Sequence, residues 1–179
     1  MSGENNKISE ENVENILNQL TPEQIISYIS NDIVKILIEN KEKAKTIIID
    51  EKDPLYSNKI PKIKIEEYLT RFFTYSKIEI STLILAYIYI KRFIDKENYI
   101  ISFRNIFRLI MSCIILAIKF NENKVYKNSF YAKVGGFDVE DLNNLEYNIF
   151  SRLDFNLRVL DNDFYEIVLN IYKEFFDEW

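Results

Sequence analysis

The chain contains no histidine and only one cysteine, Cys113. The commonest general base and metal ligand is therefore missing, and neither a Ser-His nor a Cys-His arrangement can form. Cys113 stands inside an apolar run, LIMSCIILAI from Leu109 to Ile118. An intramolecular disulfide and a thiolate zinc cluster are both excluded, and a reducing compartment suits such cysteine usage. Two of the three glycines are adjacent, Gly135 and Gly136. A phosphate loop would need glycines at set offsets with a Lys-Ser/Thr pair, or GxGxxG after a strand. Here Phe137 and Asp138 follow, the preceding segment reads as helix, and an aspartate at a helix start would repel a phosphate. The pair reads as a stop: one glycine takes the left-handed conformation that ends a helix, and Asp138 caps the next.

Two charges stand where charges are costly. In DVEDLNNLEYNIFSRL the apolar residues Val139, Leu142, Leu145, Ile149, Phe150 and Leu153 share one helical arc, and Glu146 falls inside it. Lys119 closes the all-apolar stretch IILAIKF. An uncompensated buried charge costs several kcal/mol. Spacing leaves two arrangements open: an ion pair between Lys119 and Glu146, or a snorkelling Lys119 with Glu146 at the edge of its stripe. Neither is catalytic by itself. No paired acidic constellation is evident, so no catalytic residue, metal or cofactor is expected.

The elements that must position these residues read as helices. The 179-residue chain is 47% hydrophobic and 15% aromatic, the composition of one packed domain. A net charge of −5, with no basic cluster interleaved with aromatics, argues against nucleic-acid binding. The opening MSGENNKISEEN lacks the apolar core of a signal peptide, and the apolar runs are too short to span a membrane. An intracellular protein, cytoplasmic and/or nuclear, is expected. Three prolines and three glycines leave few breakers, which favours an all-α fold. Thr21, Pro22 and Gln24 form a helix start, followed by a stripe of Ile25, Ile29, Ile33 and Leu37. A charged connection should clip back through Leu55 and Tyr56. Helices follow in KIKIEEYLTRFFTYSK, EISTLILAYIYIKRFIDK, SFRNIFRLIMSCIILAIKF (capped by Ser102), NSFYAKV, the segment opened by Asp138, and DNDFYEIVLNIYKEFF. The third of these is apolar all round beyond Leu109 and belongs at the centre of the bundle.

Five stretches, SNKIPKIKIEEYLTRFFTY, LAYIYIKRFI, SFRNIFRLIMSCIILAIKF, NSFYAKVGGFDVEDLNNLE and LDFNL, resemble in order and spacing the cyclin box of P-type cyclins, the phosphate-pathway class. The most specific part is YAKVGG followed by LNxLE. The resemblance implies a single five-helix cyclin box at 62–160. Around it lie a polar tail at 1–20, a helix packing on the box at 21–43, a connection at 44–61 and a C-terminal helix at 161–179. It implies a regulatory subunit of a cyclin-dependent protein kinase, not an enzyme, with no nucleic-acid, membrane or small-molecule partner. The alternative is a cyclin-fold scaffold for a non-kinase protein.

In that family the lysine of the AxKF motif and the glutamate of the LE motif form a buried pair facing the kinase. They correspond to Lys119 and Glu146. Phe120, Phe150, Phe155 and Leu157 match apolar kinase-binding positions, although Phe150 also reads as ordinary core. Arg71 matches an arginine of the first box helix, whose usual partner is the aspartate of YIDR. Here the second helix reads Tyr89-Ile90-Lys91-Arg92. Either Asp95 one turn on takes that role, or Arg71 points to solvent.

Overall fold

Thr21 and Gln24 satisfy each other's backbone at the start of the longest helix. The Gln24 side chain accepts from the Thr21 N–H at 2.9 Å, and Thr21 Oγ1 accepts from the Gln24 N–H at 3.2 Å. The computed structural model describes residues 10–46 and 52–176. In chain order the helices are α1 (Glu10–Leu17), α2 (Pro22–Thr46), α3 (Ile65–Ser76), α4 (Ile80–Glu97), α5 (Ile106–Asn121), α6 (Asn128–Gly135), α7 (Val139–Arg152) and α8 (Asp161–Phe176). No strand occurs among the described residues. The fold is all-α, with the five helices α3–α7 preceded by α2 and followed by α8, and none of the described helices is long and apolar enough to cross a membrane.

α5 is the axis. Every residue from Leu109 to Ile118 is buried, so the helix has no polar face to give to water. It packs on α4 and α7, and α2 covers α3 and α4. Leu55 is fully buried, and Tyr56 lies half-buried under the Arg104 guanidinium. The connection is thus pinned to the start of α5. Arg108 tightens that pin, donating to the Pro54 carbonyl at 2.7 Å and to both Asp141 carboxylate oxygens at 2.6 Å.

Three local details differ from the sequence expectation. The first 20 residues are not all tail: α1 spans Glu10–Leu17 and packs on α8, with Val13 and Leu20 buried. Val13, Ile16, Leu17 and Leu20 are spaced for one helical face, but that face is sparse and its partner lies at the other end of the sequence. Residues 1–9 lie outside the described part. α2 runs to Thr46 rather than residue 43, through the helix-favouring stretch KEKAKT with Lys45 reaching Glu42 at 2.8 Å. Finally, α5 begins at Ile106 with Asn105 as its N-cap residue. Ser102 opens the preceding turn instead, its carbonyl accepting from the N–H groups of Asn105 and Ile106.

At the double glycine, Gly136 takes the left-handed conformation (φ 74°), and the N–H of Phe137 closes back on the Ala132 carbonyl at 2.9 Å. Asp138 then caps α7, accepting from the N–H of Glu140 at 2.8 Å and of Asp141 at 3.4 Å. Gly135 lies close-packed: a Cβ there would stand 2.8 Å from Met111 Sδ, so the end of that buried methionine would have to shift. These residues set where α7 starts, and thereby where Glu146 emerges.

Candidate functional site

Lys119 and Glu146 meet. Lys119 Nζ lies 2.6 Å and 2.8 Å from the two carboxylate oxygens of Glu146, joining the last turn of α5 to the middle of α7. Asn128, the first residue of α6, donates through Nδ2 to the same carboxylate at 2.8 Å and to Asn143 Oδ1 at 2.7 Å. Glu146 is held from two sides. The expected burial is not met: the lysine side chain is 38% exposed and the glutamate 18%. Ile118 is the last core residue of α5, and the chain emerges into solvent one residue later. A pair half in water contributes little to stability, so its geometry is more informative than its energy.

Large apolar side chains lie open beside it. Phe120, Tyr147 and Phe155 are all more than half exposed. Phe150 is half-buried and meets the Phe155 ring edge-on, centroids 5.1 Å apart, while Tyr147 approaches the same ring at 6.3 Å. Leu157 is half-buried against the core. Phe150 is therefore both core and surface. Exposed aromatics next to an oriented charge pair make a surface suited to gripping an amphipathic segment of another protein.

The loop after α7 that carries Phe155 is unusual. Asp154 and Phe155 both have φ of 55°, the left-handed region, at two successive non-glycine residues. Such conformations cost on the order of 1–3 kcal/mol each and persist only where the surroundings hold them. α4 supplies the hold. Lys96 Nζ donates to the Arg152 carbonyl at 2.6 Å and to Asp154 Oδ1 at 2.9 Å. Arg92 donates to the carbonyls of Asn156 at 3.2 Å and Arg158 at 3.0 Å, and the Tyr89 hydroxyl to that of Leu157 at 2.8 Å. Burial pushes the Tyr89 phenol well above its usual range, so it stays protonated and donating.

Arg71 is exposed and makes no ion pair among the described residues; it borders a groove of about 460 Å³ with Tyr68, Phe107 and Phe137. Of the two possibilities left open by the altered YIDR element, the solvent-facing one holds, and Asp95 is exposed as well. Lys91 turns instead to α2, where Asp32 accepts from it at 3.3 Å and from the Tyr87 hydroxyl at 2.8 Å. Reading the sequence missed Asn128, Tyr147, Asp32 and the α4 donors. For the last group a signal existed: Tyr89, Arg92 and Lys96 are polar-tipped residues at helical spacing on a largely apolar helix. Among the described residues no group of three or more His, Cys, Asp or Glu is placed to hold a metal ion.

The family model Cyclin matches residues 5–157. The chain is 37% identical over 137 residues to Cyclin-U2-1 of Arabidopsis thaliana, a match covering 75% of this chain and 62% of that protein. It is similar to Cyclin-U2-2 of the same plant, 42% identical over 101 residues, covering 56% of this chain and 44% of that protein. To Cyclin-P3-1 of Oryza sativa subsp. japonica it is 29% identical over 153 residues, covering 84% and 62%. The likeness thus takes in a P-type and two U-type cyclins. The chain spans less than two thirds of the length of these curated relatives.

Proposed function

The chain belongs to the cyclin family, and from that premise we propose that it is a regulatory subunit that binds a cyclin-dependent protein kinase and activates it. The observation that carries the proposal is the Lys119–Glu146 pair, oriented by Asn128 at the surface beside the open side chains of Phe120, Tyr147 and Phe155.

A protein kinase needs the ion pair between its β3 lysine and C-helix glutamate in place before ATP is aligned. In a lone cyclin-dependent kinase the C-helix is turned away. A surface that binds the inward position more tightly shifts the population towards it, by as much as its differential affinity allows. In this chain the aromatic residues and Leu157 supply the apolar grip. Lys119 and Glu146 supply polar anchors for backbone groups near the C-helix, and α2 adds contact area. Lys119 lends donors and Glu146 acceptors, so the pair can satisfy both kinds of backbone group that docking would otherwise leave unpaired. The protein itself performs no chemistry and works inside the cell, in the cytoplasm, the nucleus or both.

The test uses purified catalytic subunits of cyclin-dependent kinases, assayed on a generic substrate peptide with and without this chain. The wild-type chain is expected to raise the activity of at least one of them. Glu146→Ala is expected to abolish that gain while circular dichroism and thermal unfolding stay near wild type, because the residue lies outside the fully buried core. Activation that survives Glu146→Ala overturns the site. No activation of any subunit by the wild-type chain overturns the kinase reading and favours a scaffold for a non-kinase protein.

A further inference from the structure

The Phe155 loop is strained, and the long-range hydrogen bonds to its backbone carbonyls come from one face of α4. Within the loop the Phe155 N–H donates to the Phe150 carbonyl at 2.9 Å, and the Asp154 N–H to that of Ser151 at 3.0 Å. Two successive left-handed residues are not what Asp and Phe prefer, so these local bonds alone leave an extended alternative open. Lys96, Arg92 and Tyr89 close it off by occupying the carbonyls of Arg152, Asn156, Leu157 and Arg158. Lys96 adds the Asp154 carboxylate, and so holds the first left-handed residue as well as the carbonyl two residues before it. The Phe155 ring, more than half exposed, rests on Phe150 and gains little from burial of its own. Nothing in the ring's own packing explains why the backbone beneath it is held so closely.

We propose that Lys96, with Arg92 and Tyr89, is a positioning residue: it pre-sets the left-handed turn at Asp154 and Phe155, so that Phe155 and Leu157 are presented to the partner without a further ordering cost. A side chain already ordered in the free protein spares the complex the entropy of ordering it on binding. The inference rests on the kinase-docking reading for its second arm, while its first arm is independent of any partner.

In the first arm, hydrogen exchange is followed in the free protein. Lys96→Met is expected to speed exchange of the Phe155 amide roughly tenfold, as local opening becomes easier, with the Ile149 amide of α7 unchanged. Lys96→Arg, which keeps donors at that place, is expected to restore slow exchange. Should Lys96→Met fold poorly, Arg92→Gln serves in its stead, since it frees the Asn156 and Arg158 carbonyls. Equal Phe155 exchange in wild type and variant overturns the proposal.

In the second arm, affinity for the kinase subunit activated by the wild-type chain is measured in a double-mutant cycle. Lys96→Met is expected to weaken binding about tenfold, the size of one lost charge-assisted contact, and to have a clearly smaller effect in a Phe155→Ala background, where only Leu157 still depends on the turn. An equal loss in both backgrounds means that Lys96 does not act through Phe155 and also overturns the proposal. If no kinase subunit binds the wild-type chain, the docking reading fails by itself, and the exchange experiment still decides whether the turn is pre-set.

Discussion

Lys91 of α4 and Asp32 of α2 bridge the box to the helix that precedes it, with Nζ 3.3 Å from Oδ2, and the Tyr87 hydroxyl donates to the same carboxylate oxygen at 2.8 Å. A residue that breaks the usual YIDR element has been put to a different use. It ties α4 to α2 rather than to Arg71 of α3.

The two partners of this bridge differ in what their loss leaves behind. Lys91→Ala removes one partly exposed partner and is expected to cost ~0–1 kcal/mol. Asp32→Ala strands the hydroxyl of Tyr87, a residue only 2% exposed. That loss is expected to cost ~1–3 kcal/mol. Urea unfolding of the two variants checks the order; a larger loss for Lys91→Ala would mean that the ion pair, not the tyrosine, sets the strength of this contact.

The adjacent glycines should fail on substitution for separate reasons. Gly136→Ala has open space around its new Cβ but must adopt φ 74°. It is expected to cost ~1 kcal/mol, and Gly136→Asn less, since asparagine tolerates the left-handed region. Gly135→Ala drives a Cβ into Met111 inside the core and is expected to cost ~1–3 kcal/mol by overpacking. Thermal unfolding of the three variants separates backbone strain from crowding.

Cys113 is wholly buried in α5, and burial pushes its thiol far above the usual range. Only the thiolate reacts at an appreciable rate. Thiol reagents at neutral pH are therefore expected to leave the native protein unlabelled and to label it in step with global unfolding as denaturant is added. Rapid stoichiometric labelling without denaturant would mean that α5 opens on its own.

Alkaline pH should unfold the protein. Burial raises the phenols of Tyr28, Tyr68, Tyr87, Tyr89, Tyr99 and Tyr131, and the Asp32 and Asp53 carboxylates add to the rise at Tyr87 and Tyr99. A raised folded-state value means that the folded chain holds protons that the unfolded chain releases above the ordinary tyrosine value of about 10. Stability is then intact below that pH and falls as pH climbs past it towards the folded-state values. Tyrosinate absorbance followed against circular dichroism is expected to show these residues ionising together with loss of helix. Independent ionisation with the helices intact would contradict their burial.

Much of this molecule was legible along the chain because its signals are local. The Thr21–Gln24 cap, the left-handed stop at Gly136 and the cap at Asp138 involve partners two to five residues apart. A helix repeats its own geometry, so such bonds follow from residue type and spacing alone. The same repetition marked α5 as the central helix and set Glu146 within an apolar arc. Spacing could say that Glu146 needed a partner. It could not choose between an ion pair and the edge of a stripe.

The choice belonged to tertiary structure, for contacts whose members are far apart in the chain depend on how helices cross and how far a side chain reaches. Lys119 and Glu146 are 27 residues apart, and Lys91 and Asp32 are 59. α1 packs against α8, which comes back from the other end of the chain to cover it. The strained turn at Phe155 exists only because α4 lies beneath it with Tyr89, Arg92 and Lys96 turned towards its carbonyls. The sequence by itself determined helices α2 to α8, the helix ends at Thr21, Gly136 and Asp138, and the charge that had to be answered. Packing decided which distant group answered it, because the energy of a long-range pair is set by approach and burial, neither of which a single helix contains.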